Sequence, residues 1–330
     1  MKSLKLALGA CIGASMVVAA GVAGAAEKAA TDNYPNKPIR MIVGYPAGGA
    51  NDLVARAIGQ EMSKELGQQV VIENVSGAAG TIGAANAARA AGDGYTLFMA
   101  AGAHALAPSV RKSLPYDIVT DFAPVSVAAI GSYVLVVHPD VKANSVTELI
   151  ELAKASPESL TFASSGVGAP PHLAGVLFQE RTGTKLHHVP FRGDADANAA
   201  VLAGHVNMIF GSLGPSVPLI RSGKVKALAV TSDNRSAALP DVPTIQETGV
   251  PDYSVSTWWG LLAPAGTPPA VIQKLNQAVA NATAQPHIKE QFLNMGVEAS
   301  SNSPEEFAAF IQSEVEKFKK LTQAAGIEPQ

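Results

Sequence analysis

The sequence predicts an α/β fold with largely parallel sheets, because one unit of structure occurs in it four times. A short apolar strand, a glycine-rich loop and a helix follow one another at 40–58, 70–91, 160–181 and 188–203. Strands that alternate with helices at such spacing are typical of parallel sheets covered by helices. The 330 residues are 47% hydrophobic, which is enough for the core of one large or two ordinary domains.

The first two units lie close to the start of the chain. A strand at 40–45 is followed by the loop Pro46-Ala47-Gly48-Gly49-Ala50-Asn51-Asp52 and by a helix from Leu53. A second strand at 70–74 leads through Ser76-Gly77-Ala78-Ala79-Gly80 to a helix over 81–91. Both loops have the glycine content of a tight strand-to-helix turn.

The other two units lie near the middle of the chain. A strand at 160–163 precedes the loop Ser164-Ser165-Gly166-Val167-Gly168-Ala169-Pro170-Pro171 and a helix over 172–181. A strand at 188–191 precedes Arg192-Gly193-Asp194 and a helix through Ala203. Apolar runs predict further strands at 96–100, 133–138, 206–210, 227–231 and 259–263. Late helices are predicted at 269–284 and 304–325, the second opened by the capping box Ser303-Pro304-Glu305-Glu306.

The first 25 residues have the pattern of a secretory signal peptide. Lys2 and Lys5 precede an apolar run over 6–20, and small residues follow up to Ala26. A transmembrane anchor is the alternative, but no basic stop-transfer cluster follows the run. The single cysteine, Cys11, lies in a segment similar to a lipoprotein cleavage box, yet the apolar run continues beyond it. We therefore expect a soluble exported protein, with lipidation at Cys11 as the less favoured reading.

Composition and motifs exclude several function classes. A net charge of −3 leaves no basic surplus for nucleic acid. The phosphate-binding P-loop, His-Glu-x-x-His and Gly-x-Ser-x-Gly patterns are missing, and the seven histidines never fall at metal-ligand spacing. The glycines of 77–83 are too widely spaced for a dinucleotide fingerprint. We expect no metal, no cofactor and no enzymatic activity.

The glycine loops are the remaining candidates for a binding site. Each lies where a strand ends and a helix begins, so that backbone N–H groups and the positive end of the helix dipole converge there. Such a junction attracts an anion without any charged side chain. Any one of the loops can equally be a plain turn, but four of them favour a ligand held between two lobes.

Several of these motifs resemble the Bug-type periplasmic solute receptors of tripartite tricarboxylate transporters. The resemblance rests on segments in family order that span nearly the whole mature chain: 45–56, 73–83, 164–168 with 172–175, 189–193, 203–206, 239–244 and 259–264. It implies a two-lobed periplasmic-binding-protein-like fold of type II, with a ligand cleft between the lobes and two crossover hinge strands. It implies a periplasmic, monomeric receptor that takes a small carboxylated acid or amino acid and delivers it to membrane transporter subunits.

The resemblance also implies domain boundaries and ligand-binding residues. Domain 1 would comprise 26–127 and 253–330, domain 2 would comprise 128–252, and the hinge would lie near 127–133 and 253–259. The residues carried over from the family motifs, together with neighbouring candidates, are Gly48, Gly49, Ala50, Asn51, Gly77, Ala78, Ala101, Ser164, Ser165, Gly166, His172, Arg192, Gly193, Asp194, Ala195 and Trp258.

Some residues have two readings that the sequence leaves open. Asp52 is expected to stabilise the start of its helix and to pair with Arg56, since a carboxylate would repel an acid ligand. His172 either only begins a helix or donates into the cleft. Arg192 pairs either with a ligand carboxylate or with Asp194 or Asp196. Of Trp258 and Trp259, which alternate across a strand, one should face the cleft or hinge and the other the core.

Two departures from the family pattern concern the second lobe. Asp194-Ala195-Asp196 stands where small neutral residues are usual, and Gly211 stands where an aspartate is common. Our hypothesis is that Asp194 faces the ligand and favours an amino or hydroxyl donor over a second carboxylate; the alternative is that Asp194 only caps the following helix. The rival functions are an exported α/β hydrolase that uses the same cleft and a sensor or lipoprotein that reports ligand occupancy.

Overall fold

The computed structural model describes residues 33–191 and 193–329. The predicted signal peptide with Cys11, and the side chain of Arg192, lie outside the described residues. Within the described part of the chain, none of the helices combines the length and the apolar character needed to cross a bilayer.

Strands and helices alternate along most of the chain. The first third contains β1 (Ile39–Val43), α1 (Ala50–Leu66), β2 (Val70–Asn74), α2 (Thr81–Ala88), β3 (Thr96–Ala101) and α3 (Gly102–Val110). The middle contains β4 (Phe122–Val137), α4 (Val146–Ala155), β5 (Thr161–Ser164), α5 (Pro170–Thr182), β6 (His187–Pro190), α6 (Asp194–Leu202), β7 (Met208–Ser212), α7 (Leu213–Arg221) and β8 (Lys226–Val230). The last part contains β9 (Ser256–Pro264), α8 (Pro269–Ala284), α9 (Pro286–Asn294), β10 (Val297–Ala299) and α10 (Pro304–Ala324).

Two sheets share the long strand β4. Up to Ser132, β4 pairs with β9, and β10 joins its other edge at Gly131. From Tyr133 onward, β4 pairs with β7 and β8 instead. The first sheet therefore has the order β2-β1-β3-β9-β4-β10, and the second sheet has the order β6-β5-β7-β4-β8. The chain passes from the first sheet to the second within β4 and returns to the first at β9.

The expectation of largely parallel sheets is wrong in part. The pairs β1–β2, β1–β3, β5–β6 and β5–β7 are parallel, as the strand-loop-helix units predict. Every pair that includes β4 or β9 is antiparallel. These strands carry the chain between the sheets rather than forming another strand-helix unit, so each runs against its neighbours and both sheets are mixed.

Most predicted elements are present, with shifted ends. The helix predicted over 81–91 ends at Ala88, and the strand predicted from residue 133 begins at Phe122. Helices α3, α4, α7 and α9 were not predicted. Pro108 lies inside α3 and Pro218 inside α7, and proline is ordinarily a sign that a helix has ended.

Buried aromatic side chains join the two sheets. One apolar cluster extends from Phe98 and Phe122 beside the first sheet to Phe162 and Phe210 beside the second. Helix α10 packs against α3 and β4 and also reaches α5. Helix α10 therefore contributes to the packing of both halves.

A test of this packing uses Gly260 in β9. A Cβ atom at this position would clash with Cζ of Phe307, which is fully buried in α10. We expect Gly260→Ala to lower the free energy of unfolding by about 1–3 kcal/mol, because the core has no room for the added methyl group. Chemical denaturation measures this change.

The double variant Gly260→Ala/Phe307→Leu provides the control. It should be more stable than the sum of the two single changes predicts, because the shorter side chain makes room for the methyl group. Strict additivity would show that the Phe307 ring is not the cause.

Candidate functional site

The predicted loops meet along one edge of each sheet. In the first sheet, β1, β2 and β3 are parallel neighbours, with Val43 level with Asn74 and with Met99, so their carboxyl ends lie together. In the second sheet, β5, β6 and β7 are also parallel neighbours. The six helices that follow these strands, α1, α2, α3, α5, α6 and α7, therefore begin at these two edges.

All six of these helices begin without a side-chain cap. Their N-cap residues are Gly49, Gly80, Ala101, Ala169, Gly193 and Ser212. Elsewhere, Ser145 of α4 and Ser303 of α10 cap their helices with side-chain hydrogen bonds to the N–H groups of Glu148 and Glu306, whereas α8 and α9 have no such cap. An uncapped first turn presents N–H groups and the positive helix dipole to whatever lies in front of it, although α5 begins with two prolines and so offers fewer N–H groups. The two edges are therefore suited to an anion.

Asp52 holds the first loop in place. Its Oδ2 accepts hydrogen bonds from Gly48 N–H and from Arg56 Nε, both at 2.9 Å, and its Oδ1 accepts one from Asn74 Nδ2 at 2.9 Å. Burial would raise the pKa of Asp52, but the hydrogen bonds from Arg56, Gly48 and Asn74 outweigh it and lower the pKa. The structural role and the pairing with Arg56 are observed.

Asn51 lies beside this network and takes no part in it. Its side chain is 5% exposed, and neither of its amide atoms has a hydrogen-bond partner among the described residues. Gly48, Gly49 and Ala50, which precede it, are exposed. A buried primary amide without partners is costly, so Asn51 is a group for which a polar ligand would be favourable.

The second loop has an unusual backbone. The φ values are positive at four successive residues: 136° at Gly77, 47° at Ala78, 55° at Ala79 and 90° at Gly80. Residues other than glycine rarely adopt such φ values. Arg111 Nη2 donates to Ala78 O at 3.1 Å, and Tyr45 OH donates to Ala79 O at 3.2 Å. These contacts determine the direction of the peptide groups and hence of the following N–H groups.

The third junction of the first sheet is stabilised by a buried histidine. His104 Nδ1 accepts a hydrogen bond from the N–H of Ala101, the N-cap of α3, at 3.0 Å. Burial lowers the pKa of His104 to about 4, against the smaller opposite effect of its backbone hydrogen bonds. Neutral His104 is therefore part of the scaffold behind Ala101, which is itself buried.

Two histidines support the loop after β5. The rings of His172 and His188 stack with centroids 3.8 Å apart, and the Phe162 ring lies roughly parallel to both, with its centroid 4.9 Å from that of His188 and 6.2 Å from that of His172. His172 Nδ1 accepts from Gly168 N–H at 3.1 Å, and His188 Nε2 lies 2.6 Å from Ser164 Oγ. Burial lowers the pKa of both histidines, to about 4 for His188, where His172 and His187 add to the effect.

Asp194 does not cap the helix that follows it. It is the first residue of α6, whose N-cap is Gly193, and its Oδ2 accepts a hydrogen bond from Ser212 Oγ at 3.1 Å. Its other oxygen, Oδ1, is buried and has no partner among the described residues. The alternative in which Asp194 only caps α6 is therefore wrong. Ala195 is exposed, and Ser165, Gly166 and Gly193 are half-buried.

Both tryptophans lie inside the protein. Trp258 is fully buried and packs edge-on against Phe307 and Phe310 of α10, with ring centroids 5.6 and 5.8 Å away. Trp259 is 8% exposed and belongs to the apolar cluster on the other face of the first sheet. The indole N–H of Trp258 has no partner among the described residues, and it lies close to Gly102 at the start of α3. A ligand contact of Trp258 stays a prediction.

The loop after β5 lies against the C-terminal end of α3. A Cβ atom on Gly168, in the loop after β5, would lie 3.7 Å from Cγ1 of Val110 in α3. The loops of the second sheet thus come within contact distance of a helix of the first. No group of three His, Cys, Asp or Glu side chains within 33–191 and 193–329 is placed to hold a metal ion.

Several residues of this region were missed by sequence reasoning. The sequence assigned no role to Asn74, His104 or His188. Ser212 could have been predicted as the start of a helix, since serine is a common N-cap residue. Pro215 and Pro218 argued against a helix there, so α7 was not predicted. The pairing of Ser164 with His188 had no signal, because its partners are 24 residues apart.

A sequence model of the tripartite tricarboxylate transporter family receptor matches residues 54–327. The chain belongs to this receptor family. The receptor is 35% identical to the periplasmic binding protein BugD, whose structure covers 90% of this chain and all of that chain with a TM-score of 0.69. The resemblance seen in the sequence and the two-lobed periplasmic binding protein fold are thereby confirmed.

Two further solved structures contain small acids. R. palustris Rpa4515 with adipate is 32% identical, covers 90% of this chain and all of its own, and has a TM-score of 0.73. MatC from Rhodopseudomonas palustris with bound malate is 32% identical, covers 87% of this chain and 99% of its own, and has a TM-score of 0.68. The receptor is thus similar in sequence and fold to proteins solved with dicarboxylic acids.

One prediction concerns Asp52. We expect Asp52→Ala to lower the free energy of unfolding by roughly 3 kcal/mol, because it removes a buried carboxylate and leaves its donors without an acceptor. Chemical denaturation gives the value. Glu73→Gln is the matched control, since Glu73 forms an exposed ion pair with Arg40 that should be worth less than about 1 kcal/mol. Equal effects of the two changes would contradict the assignment.

A second prediction concerns pH. An unfolded histidine binds a proton near pH 6.5, whereas folded His104 and His188 do so only near pH 4. The unfolded chain therefore binds more protons between these values, so stability is complete above about pH 6.5 and falls as the pH drops towards 4. For the fully buried His104 the loss is of the order of 3 kcal/mol.

The variant His104→Asn tests this pH dependence. Asparagine keeps an acceptor for Ala101 N–H but does not titrate, so the plot of unfolding free energy against pH should become flatter. His205→Gln, which changes an exposed histidine, should leave the slope unaltered. If the slope of His104→Asn equals that of the wild type, His104 is not its source.

Proposed function

We propose that this protein is a periplasmic receptor that binds a small carboxylated acid and delivers it to the membrane subunits of a tripartite tricarboxylate transporter. The observation that carries the proposal is the set of six helices that begin without side-chain caps at the carboxyl ends of the parallel strands of the two sheets. A carboxylate accepts hydrogen bonds from such N–H groups and is stabilised by the helix dipoles. Adipate and malate in two family members support this ligand class.

The ligand is held mainly by backbone groups in this proposal. On the first lobe, the exposed loop around Gly48 and Gly49 and the left-handed loop around Ala78 present N–H groups, and the Asn51 amide adds a polar side chain. On the second lobe, the half-buried loop after β5 and the start of α6 complete the site. The proposed contacts are Gly48, Gly49, Ala50, Asn51, Gly77, Ala78, Ala101, Ser164, Ser165, Gly166, His172, Arg192, Gly193, Asp194, Ala195 and Trp258.

Binding is coupled to closure of the two lobes. The proposed lobes are 26–127 with 253–330, and 128–252, joined at 127–133 and 253–259. These segments coincide with the part of β4 that changes partner at Ser132 and Tyr133, and with the entry into β9. Rotation about two such strands brings the two edges together and removes water from the ligand. The closed form is then the one that the transporter subunits recognise.

The arrangement of polar groups favours a receptor over a hydrolase. Ser164 Oγ, which lies 2.6 Å from His188, would be the nucleophile of a hydrolase. Ser164 is completely buried, however, and its hydroxyl donates a hydrogen bond to Gly166 O at 3.0 Å. The hydroxyl therefore accepts a hydrogen bond from His188 Nε2 and does not donate one to it. The pair therefore stabilises the loop. We propose a monomeric receptor without catalytic activity.

A thermal-shift screen tests the proposal. Mono-, di- and aromatic carboxylates and amino acids are added to the exported protein, with uncharged amides as controls. We expect only a few carboxylates to raise the melting temperature, by roughly 5 °C or more at about 100 times Kd. Mass spectrometry should recover the bound acid unaltered. Turnover of that acid, or no response to any carboxylate, contradicts the proposal.

A pair of matched variants tests the backbone anion site itself. Ala78 is exposed and has φ 47°, a conformation that Asp and Asn tolerate better than most residues. Ala78→Asp should abolish the thermal shift, because a negative charge stands where the carboxylate binds, whereas the nearly isosteric Ala78→Asn should retain more of it. Equal losses in both variants would point to steric exclusion instead of charge.

A further inference from the structure

One carboxylate oxygen at the edge of the second sheet lacks a donor. Asp194 follows β6, and its Oδ1 is shielded from solvent with no hydrogen-bond partner in the described part of the chain. A carboxylate oxygen that has lost water and gained no donor is strongly unfavourable. A ligand group that donates a hydrogen bond to Oδ1 of Asp194 would therefore be favourable.

The orientation of this carboxylate is determined by Ser212. This residue is the N-cap of α7, a position where serine ordinarily caps the helix, yet its side chain makes no capping bond and donates to Asp194 Oδ2 instead. Ser212 lies opposite Tyr133 on β4. Burial and, second, the negative charge of Asp194 raise the pKa of the Tyr133 phenol. Asp194 thus lies near the point where β4 passes from one sheet to the other.

A general preference for acidic residues at helix starts does not account for this arrangement. Asp196 lies in the same first turn and has the same favourable position in the helix dipole, but it is exposed to water. Stabilisation of α6 requires nothing more than Asp196 provides. Asp194 differs from Asp196 because its Oδ1 is buried and its Oδ2 accepts a hydrogen bond from Ser212.

We propose that Asp194 is a specificity-determining residue that accepts a hydrogen bond from the ammonium group of an amino-carboxylic acid. The inference rests on the proposed function, in which uncapped helix starts bind the carboxylate of the same ligand. Opposite charges on one small molecule would then be recognised by opposite features of the cleft, helix N-termini for the carboxylate and Asp194 for the ammonium.

Charge favours an ammonium group over a hydroxyl group or a second carboxylate. Hydrogen bonds between ionised partners are roughly twice as strong as neutral ones, and a second carboxylate near Asp194 would be repelled. None of the ion pairs formed within 33–191 and 193–329 includes Asp194. A cationic ligand group would therefore meet a carboxylate that the described side chains do not neutralise.

The test compares ligands that share one carbon skeleton. Isothermal titration calorimetry is performed with L-aspartate, L-malate and succinate, which carry an ammonium, a hydroxyl or a hydrogen at the same carbon, and with the five-carbon series glutamate, 2-hydroxyglutarate and glutarate. We expect the amino acid to bind most tightly in at least one series. Asp194→Asn should weaken its binding roughly 10- to 100-fold and change succinate or glutarate little or in the opposite direction.

Two variants serve as controls. Asp196→Asn removes the same charge from the same helix turn and should leave the order of affinities unchanged. Asp194→Asn keeps an acceptor for Ser212, and its melting temperature without ligand confirms that it is folded. Arg192→Gln examines the competing arrangement, in which Arg192 pairs with Asp194.

Each outcome bears on the inference. It is overturned if the plain acid binds more tightly than its amino counterpart in both series, if neither amino acid binds, or if Asp194→Asn leaves the order of affinities unchanged. If Arg192 and Asp194 form an ion pair, Arg192→Gln and Asp194→Asn should lower the stability equally and leave the order of ligand affinities unchanged. That result also overturns the proposed role of Asp194. If no carboxylate of any kind binds, the proposed function fails as well.

Discussion

Backbone N–H groups in the first turn of a helix need acceptors, and the proposed ligand site of this receptor depends on that requirement. Six helices begin at the carboxyl ends of parallel strands, and none of their N-cap side chains accepts a hydrogen bond from the first turn. Elsewhere, Ser145 and Ser303 cap their helices, while α8 and α9 have no side-chain cap. The two sheet edges therefore carry positive helix dipole ends that an anionic ligand group would stabilise.

The charged residues near these edges are mostly part of the scaffold. Asp52 faces inward and connects the first loop, α1 and β2 through Gly48, Arg56 and Asn74. Burial, complete for His104 and partial for His188, lowers the pKa of both histidines to about 4, so they are neutral at pH 7. Asp194 is the exception, because it is fixed by Ser212 and one of its oxygens is buried without a donor among residues 33–191 and 193–329. This difference between two aspartates is why only the second is assigned to ligand selection.

Sequence reasoning found the parts of the fold whose signals are local. The strand-loop-helix units that begin at β1, β2, β5 and β6 are present, since each depends on an apolar run, glycines and a helical pattern close together in the chain. The long strand β4 was only half predicted, because Pro124 and Gly131 interrupt its apolar pattern, and its antiparallel pairing depends on β7, β9 and β10. Helix α7 was missed because its prolines are tolerated by the tertiary context.

By itself the sequence determined the fold class, the family and the positions of the glycine loops, since each of these follows from short segments with strong local preferences. The tertiary structure decided which side chains support those loops. Asp52 with Asn74, Ser164 with His188 and Ser212 with Asp194 are 22, 24 and 18 residues apart, and they meet only because parallel strands place their carboxyl ends at a common edge. Strand order is a property of the whole chain, and the burial that lowers the pKa of a histidine or isolates a carboxylate oxygen exists only once the sheets and α10 have packed together.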